Sequence, residues 1–160
     1  MLTAKGKYGL KAVAHLAALA PDELAQAADI ADANNIPKKF LDAILGDLRN
    51  GGIVYSKKGP GGGYRLARNA SQIKLIQVVR LLDGPIAPIA CVSRTAYRPC
   101  EDCDDIKRCT VRLAMLRVRE AMADVLDETS IEDMVRGDRA APTTRRSSAA
   151  SRSDKQTERR

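Results

Sequence analysis

A chain of 160 residues, 44% of them hydrophobic, can build one packed domain or a small domain with an extension. Aromatic residues make up 3% and Trp is absent, so the core must come from aliphatic side chains, which disfavours an all-β sandwich and favours a mainly α fold. The net charge of +7 divides into +4 over residues 1–68, −2 over 69–135 and +5 over 136–160, and a basic N-terminal half suits a polyanion such as nucleic acid.

The first predicted helix runs from about Thr3 to Ala20. Leu10, Val13, Ala14 and Ala17 recur at helical spacing, and Pro21 closes the run. Lys5, Lys7, Lys11 and His15 interrupt its apolar stretch, unlike a signal peptide, and no run of about 18 apolar residues suggests a membrane span. A cytoplasmic protein is the expectation. His15, the only histidine, reads as a surface or packing residue rather than a ligand.

A second helix is predicted from Glu23 or Ala25 to Asn34, and Asn34-Asn35 supplies a turn that tolerates left-handed geometry. Pro37 suits the first position of a third helix, whose Leu41, Ile44, Leu45 and Leu48 form one apolar stripe. Gly51-Gly52 ends it. Two short helices joined by a tight polar turn read as a helix-turn-helix. Next come a short strand, Ile53–Ser56, the basic glycine-rich segment Lys57–Gly63, and a second strand, Tyr64–Leu66. That is a hairpin, or wing. A nucleotide phosphate loop would need Gly-Lys-Ser/Thr opening a helix, but Gly63 leads into Tyr64 and a strand.

A fourth helix is predicted from Ser71 to Gly84, then an aperiodic cysteine-rich loop over 84–109. A long helix starts at Thr110. Its Val111, Met115, Val118, Met122 and Val125 step by 4, 3, 4 and 3, a short coiled-coil seam that suits a homodimer or packing on its own domain. Thr129 and Glu132 fit a capping box for a last short helix. The predicted organisation is therefore a DNA-binding unit over 1–83, a sensor loop over 84–109, a dimerisation helix and short last helix over 110–135, and a disordered basic tail over 136–160.

On this plan the start of the third helix would meet base edges in the major groove of double-stranded DNA. Lys38 and Lys39 can reach guanine or phosphate, and Asp42 can accept from cytosine. Lys57 and Lys58 on the wing would neutralise phosphates or enter the minor groove. Cys91, Cys100, Cys103 and Cys109 concentrate within 19 residues of an otherwise cysteine-free chain. In a reducing cytoplasm they read as ligands or redox thiols rather than disulfides. Grouped thiolates select zinc, copper(I) or an iron–sulfur cluster. Only Cys100 and Cys103 make a tight pair, and this uneven spacing suits a cluster better than a zinc knuckle. Glu101, Asp102, Asp104 and Asp105 are expected to raise the thiol pKa values. With one His and no nucleophile beside a base, the chain does not read as an enzyme.

Three segments carry a family resemblance: Leu2–Tyr8, Leu48–Val54 and the wing Lys58–Leu66. With the cysteine loop and the long helix, they resemble the IscR-type winged-helix regulators, the Rrf family, over about residues 1–135. The resemblance implies a homodimeric transcription factor, usually a repressor, on a palindromic operator. It implies base reading at Lys39, Phe40, Asp42 and Ala43, and a wing contact at Lys58, with Gly61 and Tyr64 of the same wing motif completing the set. It also implies an iron–sulfur cluster, [2Fe–2S] or else [4Fe–4S], that senses iron, redox state or nitric oxide, with Cys91, Cys103 and Cys109 matching the three family cysteines. The chain departs from the family where fourth ligands stand: Arg112 replaces a histidine, and Lys7 replaces an aspartate. Cys100 is an extra thiol that can fill that place. The alternatives are a zinc-stapled interaction module and a cluster-free, thiol-sensing regulator.

Overall fold

The computed structural model describes residues 2–103 and 105–137. The first helix, α1, spans Ala4–Ala17 with Thr3 as its cap, the Thr3 hydroxyl accepting from the Gly6 N–H at 3.2 Å. The Thr3 N–H and hydroxyl both donate to the Asp83 carboxylate, which stitches the start of the chain to the end of the fourth helix. The helix stops three residues short of the expected Ala20. The chain turns instead through residues 18–22, where the Glu23 carboxylate takes the Ala20 N–H and Asp22 adopts a left-handed φ of 64°.

Helix α2 spans Ala27–Asn34 and ends on Asn35 in the left-handed conformation, as the Asn-Asn pair leads one to expect. Helix α3 spans Lys38–Asn50. Pro37 caps it rather than forming its first residue, and its carbonyl accepts from Phe40 and Leu41 at 2.9 and 3.0 Å. The predicted stripe of Leu41, Ile44, Leu45 and Leu48 is buried. The strands β1 (Val54–Lys57) and β2 (Gly63–Leu66) pair antiparallel, from Val54 opposite Leu66 to Lys57 opposite Gly63. The first strand is shifted by one residue at both ends from the sequence reading, and the second begins one residue earlier. Ile53 is drawn out of β1 because its N–H closes α3 on the Leu48 carbonyl. The segment before α2 joins the wing as well: Ala25 and Tyr64 exchange backbone hydrogen bonds of 3.0 and 2.8 Å. A side chain on Gly63 would press against the Ala25 carbonyl, so this close approach requires glycine.

The fourth helix starts later than predicted. A 3₁₀ turn covers Ala70–Gln72, and α4 spans only Leu75–Asp83. Ile73 is extended because it pairs with a distant segment. Its carbonyl accepts from the Ile131 N–H at 2.8 Å, and the Leu75 N–H donates to Thr129 at 3.0 Å. Helix α5 spans Thr110–Glu128 and α6 spans Ile131–Arg136. The capping box of α6 lies one residue beyond the predicted Thr129 and Glu132. Ser130 and Asp133 form it, while the Thr129 hydroxyl turns back to the Val125 carbonyl. The loop expected over 84–109 contains a 3₁₀ turn, Ala90–Val92. From residue 138 onward the predicted tail lies outside the described residues, as does Asp104.

Val13, Ile30, Leu41, Ile44, Leu45, Leu48, Ile73, Val78 and Ile131 are fully buried. The core thus joins α1–α4 and the base of the wing to α6, so the boundary predicted at residue 110 does not separate α6 from the helix-turn-helix. Helix α5 lies outside this core, and Arg119 is its one buried residue.

Asp133 gives the packing of α6 a pH signature. Its carboxylate accepts from both the hydroxyl and the N–H of Ser130, which holds its pKa below the usual value. A carboxyl lowered on folding contributes stability that is complete above its unfolded pKa and is lost as pH falls through the folded one. Denaturation of wild type and Asp133→Asn at several pH values should therefore show a gap that is full near neutrality and closes under acid. Ser130→Ala should cost about 1 kcal/mol at neutral pH.

Candidate functional site

Helix α3 turns its buried stripe inward, which leaves Lys38, Lys39, Phe40, Asp42 and Ala43 exposed around its opening turns. Lys38 and Asp42 form an ion pair at 2.9 Å, so the carboxylate proposed to read a base already has a partner. Phe40 is 41% exposed and sets its edge against Tyr8 of α1, with ring centres 5.8 Å apart. An aromatic pair of this kind holds the Phe40 ring in a fixed place.

Lys57, Lys58 and Gly61 are exposed on the wing. Gly61 has a φ of 71°, which makes the tip a turn that only glycine takes readily. Tyr64 differs from the rest of the predicted set. It is half-buried against the core, and its backbone N–H and carbonyl are both committed to Ala25. It therefore supports the base of the wing rather than presenting a free polar backbone. No hydrogen bond or ion pair joins the α3 set to the wing lysines among the described residues.

Arg49 is the residue that sequence reasoning passed over. It lines a groove of roughly 280 Å³ between the start of α2 and the wing, together with Gln26, Lys57 and Lys58. The signal was present in the spacing. Arg49 follows Lys38 by eleven residues, about three helical turns, which places both on one side of α3.

The four cysteines come together. All are free thiols, with Cys91 buried in the 3₁₀ turn beneath α5 and the other three half-buried. Each thiol lies near enough to a neighbour to perturb it: Cys100 acts on Cys91 and on Cys103, and Cys109 acts on Cys103. The donor atoms of Cys100, Asp102 and Cys103 lie within 4.8 Å of one another. The expectation that the acids raise every thiol fails at Cys109. Cys109 caps α5, and its sulfur accepts from the Arg112 N–H at 3.4 Å, which lowers its pKa despite the opposing charge of Asp102. The neighbouring Cys109 sulfur pushes Cys103 up to about 12, with burial adding to the shift. Burial and the contact with Cys100 raise Cys91. The order of the shifts therefore follows the helix cap and the thiol contacts more than the surrounding acids.

His15 meets Asn34 at 3.3 Å and is half-buried between α1 and α2, far in the chain from the cysteines. Along α5 the predicted seam faces outward: Val111, Val118, Met122 and Val125 are exposed, and Met115 is half-buried. Beside it, Leu10 of α1, Val79 of α4, the segment Pro85-Ile86, and Met122 and Leu126 of α5 line an apolar groove of roughly 530 Å³. No helix among the described residues is long and apolar enough to cross a membrane.

Comparison with known proteins bears on these surfaces. The family model described as "Rrf2: Iron-dependent Transcriptional regulator" matches residues 2–137. The rrf2-like HTH-type transcriptional regulator of Rhodobacter capsulatus is 41% identical over 138 residues, covering 84% of this chain and 92% of that protein. The HTH-type transcriptional regulator IscR of Pectobacterium atrosepticum is 28% identical over 134 residues, 84% of this chain and 78% of that one. Among solved structures, CymR, the global cysteine regulator of Bacillus subtilis, superposes with a TM-score of 0.71 at 31% identity, covering 86% of this chain and 97% of that one. The mainly helical body with its two-stranded wing is thus a winged helix-turn-helix, and the chain belongs to the Rrf2 family of DNA-binding transcriptional regulators rather than to any class of enzyme.

Proposed function

We propose that this regulator is a homodimeric repressor of a palindromic operator and that its four cysteines hold an iron–sulfur cluster, [2Fe–2S] or alternatively [4Fe–4S]. The observation that carries the reading is the grouping of Cys100, Asp102 and Cys103, with donor atoms within 4.8 Å of one another, beside Cys91 and Cys109, which Arg112 bonds at the head of α5. The donor set fits such a group: four soft sulfurs, one buried and three half-buried, all free thiols. When bound, a cluster supplies a redox-active centre sensitive to iron supply, oxidants and nitric oxide. Free thiols of this kind suit a reducing cytoplasm.

Lys38, Lys39, Phe40, Asp42 and Ala43 read bases in the major groove, and Lys57 and Lys58 contact phosphates beside the minor groove, with Gly61 forming the tip. The exposure of both sets supports this, and Arg49 joins the phosphate contacts. The outward seam of α5 and the apolar groove beside it receive the second copy. Cys109 begins α5, so the state of the cysteine loop bears on the helix that sets the spacing of the two reading heads.

A cluster-free thiol sensor is the second reading, favoured by the lowered pKa of Cys109 beside the Cys103 thiol. An ultraviolet–visible spectrum of anaerobically purified protein, with iron, sulfide and zinc measured on the same sample, separates the readings. Broad absorbance at roughly 320–450 nm with matching iron and sulfide is the expected result. Colourless protein with zinc would establish a structural metal site. Colourless, metal-free protein would leave the thiol sensor.

A further inference from the structure

Arg112 touches both ends of the cysteine loop. Its side-chain Nε donates to the Cys91 carbonyl at 3.3 Å, and its backbone N–H donates to the Cys109 sulfur at 3.4 Å. Cys91 and Cys109 lie 18 residues apart in the chain. One residue therefore ties the 3₁₀ turn that carries the first thiol to the helix cap that is the last. It is half-buried between them. Its charge also lies close enough to Cys91 to favour the thiolate, against Cys100 and the burial that oppose it.

The chemistry of the side chain limits what it can do there. A guanidinium has five donors, no acceptor and no accessible neutral form, so it cannot ligate a metal. It can hold a ligand in place and balance negative charge. Four thiolates around a cluster make a net anion, and Glu101 and Asp102 add to it. Groups that fix metal ligands from outside commonly change metal affinity by about 10–100-fold when removed.

We propose that Arg112 is a positioning residue for the metal centre: it closes the loop by holding Cys91 and Cys109 to one site, supplies the countercharge, and leaves all ligation to the four thiols, Cys100 included. The proposal rests on the cluster reading given above.

The test is reconstitution of the full chain with ferrous iron and sulfide under anaerobic conditions, as wild type, Arg112→Ala and Arg112→Lys. Iron content, the half-time of iron loss to excess bathophenanthroline disulfonate, and the midpoint potential of the cluster are measured for each. All three should take up iron, because the thiols remain. Arg112→Ala should release it about ten- to a hundredfold faster, and its potential should fall below wild type, since a positive charge that favours the reduced cluster is gone. Arg112→Lys should keep a potential near wild type and still release iron faster, because an ammonium cannot reproduce the Nε bond to Cys91. A merely structural role would not separate potential from release in this way. Equal half-times and potentials in wild type and Arg112→Ala would overturn the role of Arg112 while the cluster stood. If Arg112→Ala does not fold, a wild-type release rate in Arg112→Lys overturns it equally. Wild-type protein that takes up no iron overturns the cluster reading, and this proposal with it.

Discussion

Replacing Val118 and Val125 together with glutamate should reduce affinity for a full palindromic operator by about 10²–10⁴-fold while leaving binding to an isolated half-site nearly unchanged. Both side chains are exposed in the single chain, at 42% and 56%, so the substitutions remove no core contact. Their effect falls on what covers them. The seam and the groove beside it present Met122, Leu126, Val79 and Ile86 as one apolar surface, and opposed glutamates would bury unpaired charge there. Two reading heads on one dimer bind the second half-site at high effective concentration, and a monomer loses that advantage without losing any DNA contact. Sedimentation velocity should report the change of mass, and fluorescence anisotropy on whole and half operators the change of affinity. A variant that stayed dimeric, or lost half-site binding in proportion, would place the interface elsewhere.

The second large effect should come from the wing. Lys57→Ala combined with Lys58→Ala should weaken binding to every DNA sequence, on the order of 10²–10³-fold at low salt. It should also flatten the dependence of log affinity on log salt by about one unit per lysine lost from the dimer. These lysines are exposed and make no ion pair among the described residues, so each is free to displace counterions from the phosphates. Asp42→Ala should behave differently. It should relax preference at one base pair by about 1–3 kcal/mol and leave the salt slope near wild type. Because Lys38 pairs with Asp42 at 2.9 Å, losing the carboxylate removes a partner of that ammonium without removing a cation, so selectivity should fall more than overall affinity. Anisotropy titrations at several salt concentrations, on the operator and on single-base variants, distinguish the two. Identical responses on all sequences would mean that helix and wing have been assigned the wrong roles.

The features that read true from the sequence are those set by local chemistry. The stripe of α3 follows from helical period alone, and the wing from two short strands around glycines. The misplaced features depend on partners far along the chain. Ile73 looks helical beside Leu75 and Ile76, but it pairs with Ile131, and that contact delays α4. The capping box lies at Ser130 rather than Thr129 in a chain whose residues 129–131 are bonded to residues 73–75. The place of Tyr64 at the base of the wing likewise depends on Ala25, which takes both of its backbone groups. In the cysteine loop, composition exposed the four grouped thiols. The cap that lowers Cys109 and the side chain that joins it to Cys91 depend on where α5 starts and on what folds beneath it.

The attachment of α5 has a mechanical consequence. Its 19 residues make a rod about 28 Å long. One end is pinned at Cys109 and, through Arg112, to Cys91. The other passes at once into residues 129–131, which are hydrogen-bonded to the strand-like stretch before α4 and anchored by buried Ile131. The cysteine loop and the core that carries the helix-turn-helix are therefore joined by one uninterrupted helix, bonded to its neighbours at either end.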